Sequence, residues 1–391
     1  MQLIDNIPVW GSPVDEGALR QIRNCAREAD HVALMADHHL GYAVPIGGVV
    51  AYANSISPSG VGYDIACGNK AVLTDANAAE VRANIARIMD DVWGIISFGV
   101  GRKNEDEKVD HALFDDDAWK IPAVAPLKEM ARQQLGTVGS GNHYVDIFSD
   151  EEDRVWVGVH FGSRGLGHKT ATFFLNAAGA KDGMEVDPCV IEAASDLGID
   201  YLECMRLGGL YAYAGRDWVC ARVARILGAS VIEEVHNHHN FAWRERHHDS
   251  DLWVVRKGAT PAFPGQKGFV GGTMGENSVI LEGVESELGK QSLYSTVHGA
   301  GRIMGRMEAK GKRNKQGVVT REAKVTQAMM DNWVAAAHVE LRGAGVDESP
   351  HCCNRLPEVL AEHAGMIRIL HTLTPIGVAM AGKNEFDPYK D

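Results

Sequence analysis

The segment Tyr294-Ser295-Thr296-Val297-His298-Gly299-Ala300-Gly301-Arg302, continuing through Ile303-Met304-Gly305-Arg306, sets one histidine among glycines, with arginines four and eight residues beyond it. Glycines let backbone N–H groups approach a ligand closely, as phosphate-binding turns require. Each arginine offers a planar fork of donors that matches phosphate oxygens. Taken alone, H-G-x-G fits a packed turn equally well. The basic run that follows, Arg302, Arg306, Lys310, Lys312, Arg313 and Lys315 with Glu308 as its only acid, reads as an anion-binding track; its rival is a solvated surface.

Upstream, four further stretches carry chemistry. Gly271-Gly272-Thr273-Met274-Gly275 is a second flexible cradle, ahead of a strand expected over 278–281. A strand over 230–235 delivers His236-Asn237-His238-His239-Asn240, and one over 155–159 delivers His160 into Phe161-Gly162-Ser163-Arg164-Gly165-Leu166-Gly167-His168. Gly139-Ser140-Gly141-Asn142-His143 lies between a helix expected over 126–135 and a strand over 144–148. Gly60-Val61-Gly62-Tyr63-Asp64-Ile65-Ala66-Cys67-Gly68 holds a carboxylate and a thiol three residues apart, a spacing that can grip one metal ion or bridge two. Ligands held at strand ends beside glycine-rich turns make a precise site.

The remaining periodicity predicts a helix over 13–29 capped by Ser12 with Pro13 in its first turn, and strands over 32–35 and about 45–50. A helix over 78–93 is capped by Asn77, and 100–120 reads as a loop. Residues 190–227 read as helical with a break at Gly208-Gly209. A strand over 251–255, helices over 322–342 and 356–366, and a closing strand over 376–381 complete the pattern. Residues Val325, Met329, Trp333, Ala336 and Ala337 are expected to face inward on the penultimate helix. No repeat or Pro/Ser-rich linker divides the chain. The expected fold is a single α+β domain over 1–391, its site built from strand ends and glycine-rich loops.

Of 391 residues, 45% are hydrophobic and 23% charged, enough for a sizeable core. A net charge of −13 argues against a general nucleic-acid coat while leaving room for a local basic patch. Seven cysteines, odd in number and without a C-x-x-C pair, predict free thiols and a reducing compartment. The first residues lack a signal-peptide layout, and no run reaches the ~18 apolar residues of a membrane span. The expectation is a cytoplasmic protein with no membrane partner.

Asp64, Cys67, His143, His160 and His239 together supply hard oxygen, borderline nitrogen and soft sulfur, a mixture suited to manganese, zinc or cobalt and less to magnesium. Two such ions would clamp a phosphate during in-line displacement. Asn142 and Asn240 each adjoin a candidate ligand and can donate hydrogen bonds to the same phosphates.

These blocks, with Met35-Ala36-Asp37-His38-His39-Leu40-Gly41-Tyr42, Arg256–Pro261 and Gly272–Gly275, appear in the order found in the RtcB family of RNA-splicing ligases, which the chain resembles over nearly its whole length. The resemblance implies an RNA ligase that joins a 3′-phosphate or 2′,3′-cyclic phosphate end to a 5′-hydroxyl, using GTP and Mn²⁺ through a guanylylated histidine. It assigns the nucleophile to His298, with Asp37 catalytic and close to two metals. Cys67, His160 and His239 would hold one metal, and Asp64, Cys67 and His143 the other. Asn142 and Asn240 would hold nucleotide phosphates, and Gly272, Thr273, Met274, Gly275, Gly299, Ala300 and Gly301 would line the nucleotide. Arg164, Arg302 and Arg306 would contact RNA-terminal phosphates. His236 and His238 match no ligand position and are read as supporting residues.

Three departures cluster near the expected guanine pocket. Asp146 stands where the family usually has glutamate, and Cys353-Asn354 where it has tyrosine and lysine. The chain runs past Met380-Ala381-Gly382-Lys383 to Asp391 where the family ends on lysine-glycine, so Lys383 is the candidate replacement contact. The resemblance therefore points to a divergent paralogue, an RNA-repair ligase with altered nucleotide preference, and leaves an activating protein partner open. The competing expectations are a dinuclear phosphoesterase acting on RNA ends and an RNA-end binder that does not ligate.

Overall fold

The computed structural model describes residues 1–383 except 108, 182, 315 and 317, with Arg313 described by its backbone only. Lys315 of the basic run, one position of the 100–120 loop and the segment beyond Lys383 lie outside the described residues. Among the described residues, two large sheets dominate. The first has six strands, in the order Gln2–Ile4, Ile7–Val9, His31–His39, Ile46–Tyr52, Ser250–Lys257 and Asn240–His247. The second runs Val231–His238, Gly68–Asn77, Arg154–His160, Tyr144–Ser149, Ile367–Gly382, Ser278–Gly283 and Lys267–Val270, with Glu340–Ala344 added alongside the long strand. Pairing is antiparallel except between Ile7–Val9 and His31–His39, and between Glu340–Ala344 and Ile367–Gly382. Helices sit outside this antiparallel framework, which makes the fold α+β.

Both sheets are covered on each face, and period-two alternation decides which core each side chain enters. On the eight-stranded sheet, Val145, Ile147, Val155, Val157 and Val159 pack against helices Ile85–Ile95 and Asp196–Leu227. Their neighbours Tyr144, Phe148 and Trp156 enter a second core with Phe269, Met274, Met330 and Met380. On the six-stranded sheet, Leu34 and Val50 join the core under the long helix, while Ala33, Met35 and Val49 face Val270, Val297 and Leu356.

Several expected elements change shape. The first helix is Glu16–Cys25, and its cap is Asp15 rather than Ser12, because the Asp15 carboxylate captures the Ala18 N–H at 2.7 Å. Asn77 does cap a helix, but Ala78–Ala83 ends at Asn84 and a second helix, Ile85–Ile95, begins there. The strand expected over 32–35 extends through His39, and that over 230–235 through His238. Residues 322–342 do not form one helix: Gln327–Ala336 is helical, Glu340–Ala344 is a strand, and Met330 rather than Met329 is buried. Two short 3-10 turns, Ala112–Asp115 and Asp117–Lys120, interrupt the polar loop.

The long helix Asp196–Leu227 does not break at Gly208-Gly209, and residues 190–195 are not part of it. A Cβ at Gly208 would stand 3.2 Å from Ile65, and one at Gly209 3.0 Å from the Phe241 ring. The two glycines lower helix propensity, yet their bareness lets the helix lie against the strands it must cover, and packing outweighs propensity. All seven cysteines are free thiols. No described helix is long and apolar enough to cross a membrane.

Gly158 offers a test of this packing. A Cβ there would lie 2.7 Å from Phe148 and 2.8 Å from Phe269, two fully buried rings on neighbouring elements. Gly158→Ala is expected to lower unfolding free energy by ~1–3 kcal/mol through overpacking, read as a lower urea midpoint at unchanged slope.

Candidate active site

The site forms where the two sheets meet. Register places Asn69 and Tyr144 directly opposite His160 at one end of the eight-stranded sheet. His239 is the single residue between Val231–His238 of that sheet and Asn240–His247 of the other. The backbone N–H groups of His239 and Asn240 donate to the Cys67 carbonyl at 2.8 and 3.2 Å, and Ala66 N–H donates back to Asn240 at 2.7 Å. Ala66 adopts φ 61°, a left-handed conformation that a non-glycine residue holds only when its surroundings enforce it. That turn aims Cys67 inward.

Cys67, His143 and His160 are buried and their ligating atoms lie within 4.8 Å of one another. The Cys67 sulfur is 3.6 Å from His160 Nε2 and 3.7 Å from His143 Nε2. His160 Nδ1 donates to Asn69 Oδ1 at 2.6 Å, and Asn69 is fixed in turn by donating to the Phe269 carbonyl at 2.8 Å. His143 Nδ1 lies 2.9 Å from the Val138 carbonyl. The bond to Asn69 leaves the His160 Nε2 lone pair facing the sulfur, the usual arrangement behind a metal-bound imidazole, while His143 Nδ1 lies between the Val138 carbonyl and Arg164 Nη1. Asp64 Oδ2 lies 3.1 Å from His143 Nε2. A carboxylate oxygen and a lone pair at that distance need a cation between them, either a proton or a metal ion. His239 stacks on His160 with centroids 5.0 Å apart, and its Nδ1 is buried with no hydrogen-bond partner among the described residues. The donors therefore fit a bound divalent ion in chemistry, burial and orientation.

The electrostatics agree. Burial, with the charge of neighbouring groups, pushes the pKa of His160 and of His239 well below the ordinary histidine value, so both rings are neutral. Burial would raise the Asp64 carboxyl, but the His143 hydrogen bond and the charges of His143 and Arg164 outweigh it and hold it at about 2. Burial and the Asp64 charge push the Cys67 thiol up. A coordinated cation is what would make that sulfur a thiolate.

His298 follows the strand Ser295–Val297, which pairs with Ala259–Pro261 just beyond the seam. Its ring lies 4.9 Å from that of His239, so an unbroken line of rings runs from His298 through His239 and His160 to His143. Asp37, fully buried, receives three hydrogen bonds at one oxygen: from His298 Nδ1 at 2.6 Å, His298 N–H at 3.0 Å and Gly299 N–H at 3.3 Å. Burial alone would raise the Asp37 pKa, but the charge and hydrogen bonds of His298 outweigh it and keep the carboxylate ionised. Gly301, at φ 74°, passes so close to the Asp37 backbone that a Cβ would stand 2.4 Å from its carbonyl oxygen. Asp37 therefore stands directly behind the His298 ring.

The other expected site residues divide. Asn142 Nδ2 reaches His160 Nε2 at 3.3 Å, whereas Asn240 Oδ1 accepts the Gly258 N–H at 2.7 Å and so braces the turn before Ala259. Arg164, at φ 56°, lies against His143. Arg302 and Arg306 are turned toward Asp347 and Glu348, with Arg302 Nη1 3.0 Å from the Asp347 carbonyl and Arg306 paired with both carboxylates. Lys310 joins Asp347 at 3.7 Å, so the basic run is partly neutralised by acids distant in sequence. In the cradle, Gly272 N–H is held by Ser278 and Thr273 by Glu276, while Met274 and Ala300 are buried. Asp146 is buried with Oδ1 unpartnered among the described residues, beside the similarly unpartnered Tyr144 hydroxyl. Burial pushes its carboxyl well above the usual carboxylate range. Lys383 is exposed at the turn after the last long strand. Sequence reading missed Asn69, Asp347 and Glu348; the one signal for Asn69 was an amide side chain two positions past Cys67, at the start of the strand Gly68–Asn77.

Comparison with known proteins bears on this geometry. The family model described as tRNA-splicing ligase RtcB matches residues 19–381. The RNA-splicing ligase RtcB of Escherichia coli K12 is 30% identical, over 95% of this chain and 97% of that protein. The tRNA-splicing ligase RtcB of Archaeoglobus fulgidus is 30% identical over 88% of this chain and 86% of its own length. RNA-splicing ligase RtcB homolog 1 of Entamoeba dispar is 28% identical over 92% and 81%.

Asn69 tests the tautomer argument. Asn69→Leu removes both of its hydrogen bonds at similar volume and is expected to weaken Mn²⁺ binding about 10- to 100-fold, measured by titration against the free-ion electron paramagnetic resonance signal.

Proposed function

The chain belongs to the RtcB family, and from that premise we propose that this RNA ligase works through a nucleotide carried transiently on His298. The observation that carries the proposal is the Asp37–His298 pair. With Nδ1–H held by a buried carboxylate at 2.6 Å, the lone pair resides on Nε2, and the developing imidazolium is stabilised as Nε2 forms a bond. In this reading Nε2 attacks the α-phosphorus of GTP, the bond to the β-phosphate oxygen breaks, and pyrophosphate leaves. An RNA 3′-phosphate oxygen then takes the nucleotide from Nε2, and a 5′-hydroxyl oxygen attacks the activated 3′-phosphate, releasing GMP and closing the phosphodiester.

The site's metal, for which Mn²⁺ suits the donor set, would offset negative charge as phosphates approach one another. Cys67, His160 and His239 would hold one ion, and Asp64, Cys67 and His143 a second. Asn142 and Asn240 would border the nucleotide phosphates, with Gly272–Gly275 and Gly299–Gly301 lining it. Arg164, Arg302 and Arg306 would receive the RNA-terminal phosphates. The substrates on this reading are RNA ends with a 3′-phosphate or 2′,3′-cyclic phosphate and a 5′-hydroxyl, joined by one ligase domain over 1–391. The free thiols, Cys67 among them, favour the reducing cytoplasm.

Base preference is where this protein is proposed to depart from its relatives. Kept neutral by burial, the Asp146 carboxyl would offer one donor and one acceptor, whereas an ionised carboxylate only accepts. Such a group reads a different edge of the base, which supports an altered or relaxed nucleotide preference.

Incubation with Mn²⁺ and α-labelled GTP is expected to give an acid-labile protein adduct that His298→Ala abolishes. Asp37→Asn is expected to slow adduct formation about 10²- to 10⁴-fold. Adding RNA ends should discharge the label and join the strands. Activity on RNA ends that survives His298→Ala would favour a phosphoesterase, and RNA binding without an adduct would favour a non-ligating binder.

A parallel incubation addresses the base. Label should pass to His298 from ATP or another nucleotide at a rate within about tenfold of GTP, one unit of ~1.4 kcal/mol. Transfer from GTP alone would remove the altered-preference proposal.

A further inference from the structure

Behind the ligand cluster sits a buried cation that no sequence motif announced. Arg216, midway along the helix Asp196–Leu227, is fully buried. Its Nη1 donates to the Ala66 carbonyl at 3.1 Å and the Phe161 carbonyl at 2.6 Å. Nε donates to His236 Nε2 at 2.8 Å, and Nη2 lies 2.8 Å from His238 Nδ1. These partners flank the candidate ligands: Ala66 precedes Cys67, Phe161 follows His160, and His238 precedes His239. Three backbone segments from separate parts of the chain therefore meet on one guanidinium.

We propose that Arg216 is a positioning residue for the metal centre, locking the Cys67, His160 and His239 segments at ligating separation from behind. The inference rests on the metal reading given above. The Ala66 turn shows why a lock is needed. Its left-handed backbone is costly, on the order of 1–3 kcal/mol, and the Arg216 bond to its carbonyl holds the peptide plane that aims Cys67. Arginine suits the task because its planar fork serves four acceptors in fixed directions, which a lysine ammonium cannot do.

The acceptors are all neutral. A guanidinium nitrogen can only donate, so the ring nitrogens of His236 and His238 at 2.8 Å each present a lone pair to the fork. Burial lowers Arg216 itself only to about 10, which leaves it charged. Among the described residues no carboxylate pairs with it at ion-pair distance, an arrangement that costs several kcal/mol unless other anions gather nearby. Here the four neutral acceptors offset part of that cost through hydrogen bonds to the charged group. His236 and His238 thus serve the centre through Arg216, which accounts for histidines at a strand end that are not ligands.

The test uses the full-length protein and Co²⁺, whose bond to a thiolate gives a charge-transfer absorption band. Wild type should show the band and saturate. Arg216→Lys is expected to bind Co²⁺ about 10- to 100-fold more weakly, with the band shifted or lost. Should Arg216→Lys fail to fold, the half-buried His236 provides the second arm. His236→Leu removes the acceptor for Nε and should weaken binding about 10-fold, while His236→Gln, which keeps an acceptor, should restore it. A merely structural role would lower the melting temperature and leave Co²⁺ affinity and the band unmoved. A folded Arg216→Lys, or His236→Leu, that binds within about twofold of wild type with the same band overturns the inference. A wild-type protein that binds Co²⁺ without the sulfur band overturns the metal reading itself, and this inference with it.

Discussion

The Cys67 carbonyl, receiving N–H groups from both His239 and Asn240, is the constraint on which the rest of the site depends. At that point the chain leaves one sheet and enters the other, so one residue cannot belong fully to either ladder. His239 is that residue, and freedom from a ladder lets its ring turn toward His160 and His298. Because backbone groups buried at the seam must be paired, the turn at Ala66, the end of the His160 strand and the start of Asn240–His247 are fixed together. Cys67, His160 and His239 then have little freedom to drift apart.

Burial supplies the second half of the design. Burial keeps His160 neutral, and a fixed partner behind a ring restricts which nitrogen carries the proton. Val138 stands behind His143, Asn69 behind His160 and Asp37 behind His298. The second ring presents a lone pair to the thiol, and the third presents one to the open side of the site. One physical device thereby orients all three rings, differing only in whether the partner behind the ring is neutral or a carboxylate.

The arginines show the opposite economy of charge. Arg216 is buried against neutral acceptors and serves the framework, whereas Arg302 and Arg306 rest on Asp347 and Glu348 at the rim. Asp146 completes the contrast as a carboxyl that burial pushes well above the usual carboxylate range.

Much of this was legible in the order of residues. Asp64, Cys67, His143, His160, His239 and His298 stand out because glycines and strand ends flank them, and the antiparallel α+β framework follows from short alternating apolar runs. Local rules failed where packing overrode them. Gly208 and Gly209 looked like a helix break but are the bare strip that seats the long helix, and 322–342 looked uniformly helical but holds a strand. Ser12 looked like a cap, yet Asp15 was nearer the orphan N–H groups.

The amino-acid sequence by itself determined the family to which the chain belongs and singled out a set of donor side chains, because donor identity and glycine placement are properties of residue type and spacing. Only the tertiary structure decided that Asp37 stands behind His298, that Asn240 braces Gly258, and that Arg216 gathers three strand ends. Those relations join residues up to hundreds of positions apart, and no local pattern encodes which buried donor will meet which acceptor once two sheets have closed on each other.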